Sequence, residues 1–127
     1  MGRPMIFVVD DEPEMIRIMT KILARCGLET EGLAEGGGAY ERIRDAKPQL
    51  VFLDLRLGEA DGAEVLREIR RDPALASMPV VLMSGDGEIR RKAEALGADA
   101  HLWKPFKAAD LLACVRRFVV MSAEATA

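Results

Sequence analysis

Aromatic residues are scarce, only 5% of a 127-residue chain that is 50% hydrophobic. A core must therefore be built mainly from Ile, Leu, Val, Met and Ala. Basic charge is not in excess either: 18 Lys and Arg stand against 21 Asp and Glu, a formal net charge of −3. The electrostatic footprint of a nucleic-acid binder is missing, so no direct contact with nucleic acid is expected. No apolar run approaches the roughly 20 residues that a membrane helix requires, and no membrane association is expected. The run Met5 to Val9 is too short for the core of a signal peptide. The only two cysteines, Cys26 and Cys114, lie within helical patterns and form no metal-ligand spacing. They read as reduced core residues of a cytoplasmic protein.

What is present is a regular alternation. Five short apolar runs are separated by helical patterns, and the length suits one compact domain. Met5 to Val9 is continuous, as a strand buried on both faces should be. Met15, Ile18, Met19, Ile22 and Cys26 recur at helical spacing, between Pro13 and Gly27. Leu28 to Leu33 carries Glu29 and Glu31, which suits an edge strand. A short helix over about 39–46 follows Gly36-Gly37-Gly38. Leu50 to Leu53 is the clearest strand and ends at Asp54. Gly62 to Arg71 reads as a helix with Val65, Leu66 and Ile69 inward, and Pro79 to Met83 as a strand ending at Ser84. A helix carrying Ile89, Ala93 and Leu96 closes at Gly97. Ala100 to Trp103 is the fifth strand, ending at Lys104-Pro105, and an amphipathic helix carries Leu111, Leu112, Val115, Phe118 and Val119.

Strict alternation of strand and helix implies an α/β fold: a doubly wound, five-stranded parallel sheet with helices on both faces. The expected strand order is the flavodoxin-like 2-1-3-4-5. The domain is expected over 1–122, with a frayed tail at 123–127, and there is no tandem repeat, linker or low-complexity segment.

The polar residues fall where the strands end. Asp10 and Asp11 follow the first, Asp54 the third, Ser84 the fourth and Lys104 the fifth. All strand C-termini of a parallel sheet lie on one edge, and strands one and three flank the topological switch point where such sheets bind ligands. Three carboxylates meeting there repel one another and need shared protons or a cation. Mg²⁺, or Mn²⁺ in its place, suits an all-oxygen site that leaves room for phosphate oxygens. A phosphoryl group on Asp54 would then lie between the metal and Lys104, with the Ser84 hydroxyl donating to a further oxygen. Taken singly, each residue has an ordinary alternative. Asp10-Asp11 could cap the first helix, Asp54 could be a loop acid, Ser84 a turn residue and Lys104 a surface charge. It is their joint placement on one edge that favours chemistry.

These segments resemble the receiver domain of bacterial two-component response regulators over essentially the whole chain. The matches are Val8-Val9-Asp10-Asp11-Glu12-Pro13, Leu53-Asp54-Leu55 with Asp61-Gly62, Met83-Ser84-Gly85, and Leu102-Trp103-Lys104-Pro105-Phe106. The resemblance implies phosphoryl transfer to Asp54 from a sensor histidine kinase or histidine phosphotransfer protein. It implies Asp11, Asp54 and the Arg56 carbonyl as metal ligands, Asp10 acting through water, and a cis Lys104–Pro105 bond. It also implies a signalling domain rather than an enzyme, with only self-catalysed phosphotransfer and autodephosphorylation.

Some positions depart from that pattern. Gly58 stands where the loop after the acceptor usually has proline, and it is expected to loosen that loop. His101 stands where an aromatic switch residue is common; it is either a rotamer switch or a structural residue. Arg56 and Asp86 either pair across the mouth of the site and shield it from water or are two solvated charges. His101 and Trp103 share one strand face. Trp103 is either an anchor for an unknown downstream protein or partly buried under the last helix.

Two other chemistries share parts of this layout. An aspartate-nucleophile phosphatase usually has a second acid two residues after the nucleophile, where this chain has Arg56. A flavodoxin needs a hydroxyl- or glycine-rich phosphate loop after the first strand, where this chain has Asp10-Asp11-Glu12-Pro13. A receiver-like domain without chemistry would lack some of the five site residues, and all five are present. Whether the chain stands alone, acts within a phosphorelay or belongs to a longer regulator or hybrid kinase is left open by the sequence.

Overall fold

The computed structural model describes residues 5–120. The tail expected at 123–127 lies outside these residues. The elements run β1 (Met5–Val9), α1 (Pro13–Ala24), β2 (Glu29–Leu33), α2 (Ala39–Ala46), β3 (Leu50–Asp54), β4 (Arg56–Leu57), β5 (Ala60–Asp61), α3 (Gly62–Arg71), β6 (Val80–Ser84), α4 (Ile89–Leu96), β7 (Ala100–Trp103) and α5 (Ala108–Phe118). Five strands form one parallel sheet in the order β2-β1-β3-β6-β7. This is the expected 2-1-3-4-5 arrangement. The numbering differs only because β4 and β5 form a separate antiparallel ribbon that apolar periodicity did not reveal.

Burial follows from the pleat. Along β1, Phe7 and Val9 join Val51 and Leu53 of β3 in a core closed by Ile43, Val65, Leu66, Ile69, Ile89 and Ala93 from α2, α3 and α4. Ile6 and Val8 join Leu50 and Phe52 on the opposite face, under Met19 and Leu23 of α1 and Leu111 and Val115 of α5. Because both faces are covered, β1, β3 and β6 are apolar without alternation. Edge strand β2 has no fully buried residue and carries exposed Glu29.

Two inward positions differ from the sequence reading. Ile18 is 49% exposed, whereas Ile16 packs against the second core. A Cβ on Gly32 of β2 would sit 2.3 Å from the Ile16 side chain, so a glycine in the edge strand admits this residue. Leu75 and Met78, in the connection after α3, are also buried. Cys26 and Cys114 are unbridged and half-buried against the second core.

Gly62 draws the end of β3 and the start of α3 together. Its amide donates to the Leu55 carbonyl at 2.9 Å, and any Cβ there would lie 2.0 Å from the Asp54 carbonyl oxygen. Asp61 caps the helix by accepting from the Ala63 amide at 2.9 Å. The end of β3 thus meets the start of α3 through a close backbone approach that only glycine allows.

Candidate functional site

The polar strand ends converge. Asp10 and Asp11 leave β1, Asp54 ends β3, Ser84 ends β6 and Lys104 follows β7. Paired neighbours in the sheet bring Asp54 level with Met83 and Ser84 level with Trp103. An open cleft of about 1020 Å³ lies over this edge, lined among others by Asp11, Glu12, Asp54, Arg56, Ser84 and Lys104. Asp10 is fully buried, and Asp54 is 5% exposed.

Lys104 organises the carboxylates. Its Nζ donates to Asp10 Oδ2 at 2.7 Å and to Asp54 Oδ2 at 2.8 Å, with Glu12 Oε1 at 3.3 Å. Burial disfavours the ammonium, yet its hydrogen bonds to Asp10 and Asp54, with their charges, outweigh that and raise its pKa. Burial likewise raises the pKa of Asp10, only partly offset by the Lys104 bond, and the Asp54 charge pushes the same way. One lysine therefore compensates a crowded acidic edge.

Asp10, Asp11, Glu12 and Asp54 each offer an oxygen, and these atoms lie within 4.8 Å of one another. An all-carboxylate donor set of this kind fits a hard divalent cation such as Mg²⁺. The sequence reading did not count Glu12 in this group. The signal for it was the unbroken Asp10-Asp11-Glu12 run at a strand end.

Main-chain donors fix the remaining oxygens. Asp10 Oδ1 accepts from the Glu12 amide at 2.9 Å, Asp54 Oδ1 from the Arg56 amide at 3.0 Å, and Asp11 Oδ2 from the Gly58 amide at 3.1 Å. Ser84 Oγ accepts from the Asp86 amide at 3.0 Å, which engages the oxygen and not the hydroxyl proton. The Lys104 amide donates to the Ser84 carbonyl at 2.8 Å, and the Lys104–Pro105 bond is cis, as expected.

The structure places Arg56 and Asp86, Gly58 and Trp103. Arg56 and Asp86 do not pair: Asp86 binds Lys92 of α4 and accepts from the Glu88 amide at 2.8 Å in the turn before that helix. A partner on the adjoining helix leaves less chain to order than a bridge between two loops. The Lys92 bond, helped by the Glu88 amide, also lowers the Asp86 pKa. Gly58 forms the turn of the β4–β5 ribbon. Trp103 is 61% exposed rather than covered by α5, and its Nε1–H donates to the Gly85 carbonyl at 3.3 Å. His101 is exposed on the same face.

The response regulator receiver domain model matches residues 6–116. The DNA-binding response regulator MtrA of Mycolicibacterium smegmatis is 34% identical over 116 residues, which are 90% of this chain and 50% of MtrA. This chain spans about half the length of the curated relatives it matches. The receiver domain of NtrX from Brucella abortus is 37% identical with a TM-score of 0.79, over 88% of this chain and 95% of that one. The receiver domain of the sensor histidine kinase PA1611 from Pseudomonas aeruginosa is 25% identical with a TM-score of 0.83, over 92% and 98%. That structure has a magnesium ion coordinated in its active site cleft. With its sheet order, its acidic edge and these matches in agreement, the chain belongs to the receiver domains of two-component response regulators.

Proposed function

We propose that Asp54 accepts a phosphoryl group, in a Mg²⁺-dependent reaction, from a phosphohistidine on a sensor histidine kinase or histidine phosphotransfer protein. The observation that carries this reading is the Asp54 carboxylate at the cleft floor, 2.8 Å from Lys104 and within the four-carboxylate cluster. The bond from phosphorus to the donor imidazole nitrogen breaks as a bond to an Asp54 carboxylate oxygen forms, and the imidazole leaves with the electron pair. Lys104 and the Ser84 hydroxyl donate to the phosphoryl oxygens. Asp11, Asp54 and the Arg56 carbonyl would hold the metal directly and Asp10 through water. When bound, the ion offsets the carboxylates and stabilises charge on the transferred group. Water later attacks phosphorus and returns the carboxylate and inorganic phosphate. No separate substrate is turned over.

The output reading follows from Ser84. Its oxygen is engaged by the Asp86 amide, and the neighbouring Gly85 carbonyl is engaged by Trp103. A shift of Ser84 toward a phosphoryl group would pull on the Trp103 contact, on the face that also carries His101. This gives Trp103, rather than the outward His101, the more direct link to the site. The downstream partner meets this face. We assign no nucleic-acid contact to this segment; the DNA binding in the name of MtrA is a property of that protein.

The test is exposure to acetyl phosphate or beryllofluoride with and without Mg²⁺. A base- and hydroxylamine-labile acyl phosphate on Asp54 after acetyl phosphate, and a change in the fluorescence of the only tryptophan with either reagent, are expected only when Mg²⁺ is present. Persistence of either response in Asp54→Ala shows the acceptor to be elsewhere.

A further inference from the structure

The connection between β3 and α3 holds a device made by one glycine. Arg56 pairs with Asp61 and Leu57 with Ala60, so Gly58 and Glu59 form a two-residue turn. Gly58 has φ +65°, and among the described non-glycine residues only Lys47 has positive φ, so Glu59 does not. Positive φ at the first turn residue alone is the signature of a type II′ hairpin, which favours glycine there. The ribbon is supported from one side: a Cβ on Gly36 would lie 2.6 Å from the Ala60 side chain, and Leu57 is buried. So held, the turn aims the Gly58 amide at Asp11 Oδ2, 3.1 Å away. Proline at this position would have neither the N–H nor the positive φ.

We infer that Gly58 is a positioning residue for the divalent-cation site. Its main-chain N–H holds one oxygen of Asp11 and turns the carboxylate toward Asp10 and Asp54, with the other oxygen presented to the ion. Asp11 is exposed, so in this chain the Gly58 amide does for it what burial and Lys104 do for Asp10 and Asp54. Hydrogen bonds to metal-ligating carboxylates orient them and tune affinity in this way. The inference rests on the Mg²⁺-dependent reading of the cleft.

Calorimetric titration of the unphosphorylated chain with Mg²⁺ tests it, comparing native protein with Gly58→Pro and Glu59→Pro. Gly58→Pro removes the N–H and is expected to weaken Mg²⁺ binding about tenfold. Glu59→Pro puts the same ring into the same turn, keeps the Gly58 N–H, and is expected to bind as the native chain does. Native-like binding by Gly58→Pro, or an equal loss in Glu59→Pro, overturns the inference. The Gly58 amide resonance of the native chain is a second readout, expected to move with the binding isotherm. An unmoved resonance overturns the inference even where Gly58→Pro does not fold. Failure of the native chain to bind Mg²⁺ overturns the functional reading and this inference together, whereas native-like binding by Gly58→Pro overturns this inference alone.

Discussion

At the scale of single residues, the site is a problem in charge compensation. Asp10 has lost all contact with solvent, lies near Asp54, and relies on Lys104. Its pKa in the folded chain is raised above the ordinary 3.8, with burial the main cause. A carboxyl that binds its proton more tightly when folded costs stability at neutral pH, and the cost fades as pH falls through the raised value. Asp10→Asn is therefore expected to raise the melting temperature of the metal-free protein at pH 7. The gain should shrink as pH is lowered toward 4. Melting curves across that range check both the sign and the trend, and a loss of stability at pH 7 contradicts it. The same substitution should weaken Mg²⁺ binding, since it removes a charge that the ion would offset.

At the scale of elements, the molecule is tied by side chains that bridge helix ends and strand starts. Arg70 of α3 is the clearest case. It donates to the carbonyls of Met78 at 2.8 Å and Gly97 at 3.0 Å, and pairs with Asp99 Oδ2 at 2.8 Å. Asp99 in turn accepts from the Val80 amide at 2.8 Å, so one guanidinium joins α3, the start of β6 and the turn into β7. Arg70→Ala leaves these acceptors without their charged donor. Its expected cost is about 2 kcal/mol, the range for a hydrogen bond to a charged group. Urea denaturation at constant m-value measures it, and a change under a few tenths of a kcal/mol removes the clasp from the account. Arg70→Lys should recover only part, because an ammonium lacks the planar fork that reaches several acceptors at once.

At the scale of the whole molecule, stability is divided between two cores separated by the sheet. Phe52 lies in one and Leu66 in the other, and both are fully buried. Leu66→Ala is expected to cost roughly 2–5 kcal/mol and Phe52→Ala roughly 3–5 kcal/mol. Because the two sit on opposite faces, the double variant should lose close to the sum of the single losses. Chemical denaturation of the three variants tests this, and a strong departure from additivity shows the two cores to be coupled through the sheet. The arrangement also matters for function. Both cores support β3, whose far end is Asp54, so this carboxylate ends a strand buried along its whole length, while Asp11 and Lys104 lie in the connections after β1 and β7.

The sequence by itself determined the order of the five sheet strands and their intervening helices. It also placed Asp10, Asp11, Asp54, Ser84 and Lys104 on one edge. These are consequences of local rules: continuous apolar runs buried on two faces, helical spacing between them, and parallel crossovers that put every strand C-terminus together. Tertiary structure alone decided which partner each polar group takes. Asp86 turned to Lys92 and not Arg56, Glu12 joined the acidic cluster, Trp103 found the Gly85 carbonyl, and Gly58 reached Asp11 from a hairpin turn. Ile16 turned inward where Ile18 was expected, because Gly32 opened space across the α1–β2 contact. The reason is one of range. Hydrophobic periodicity is written within a dozen residues, but a hydrogen bond forms or fails over about half an ångström between segments far apart in the chain.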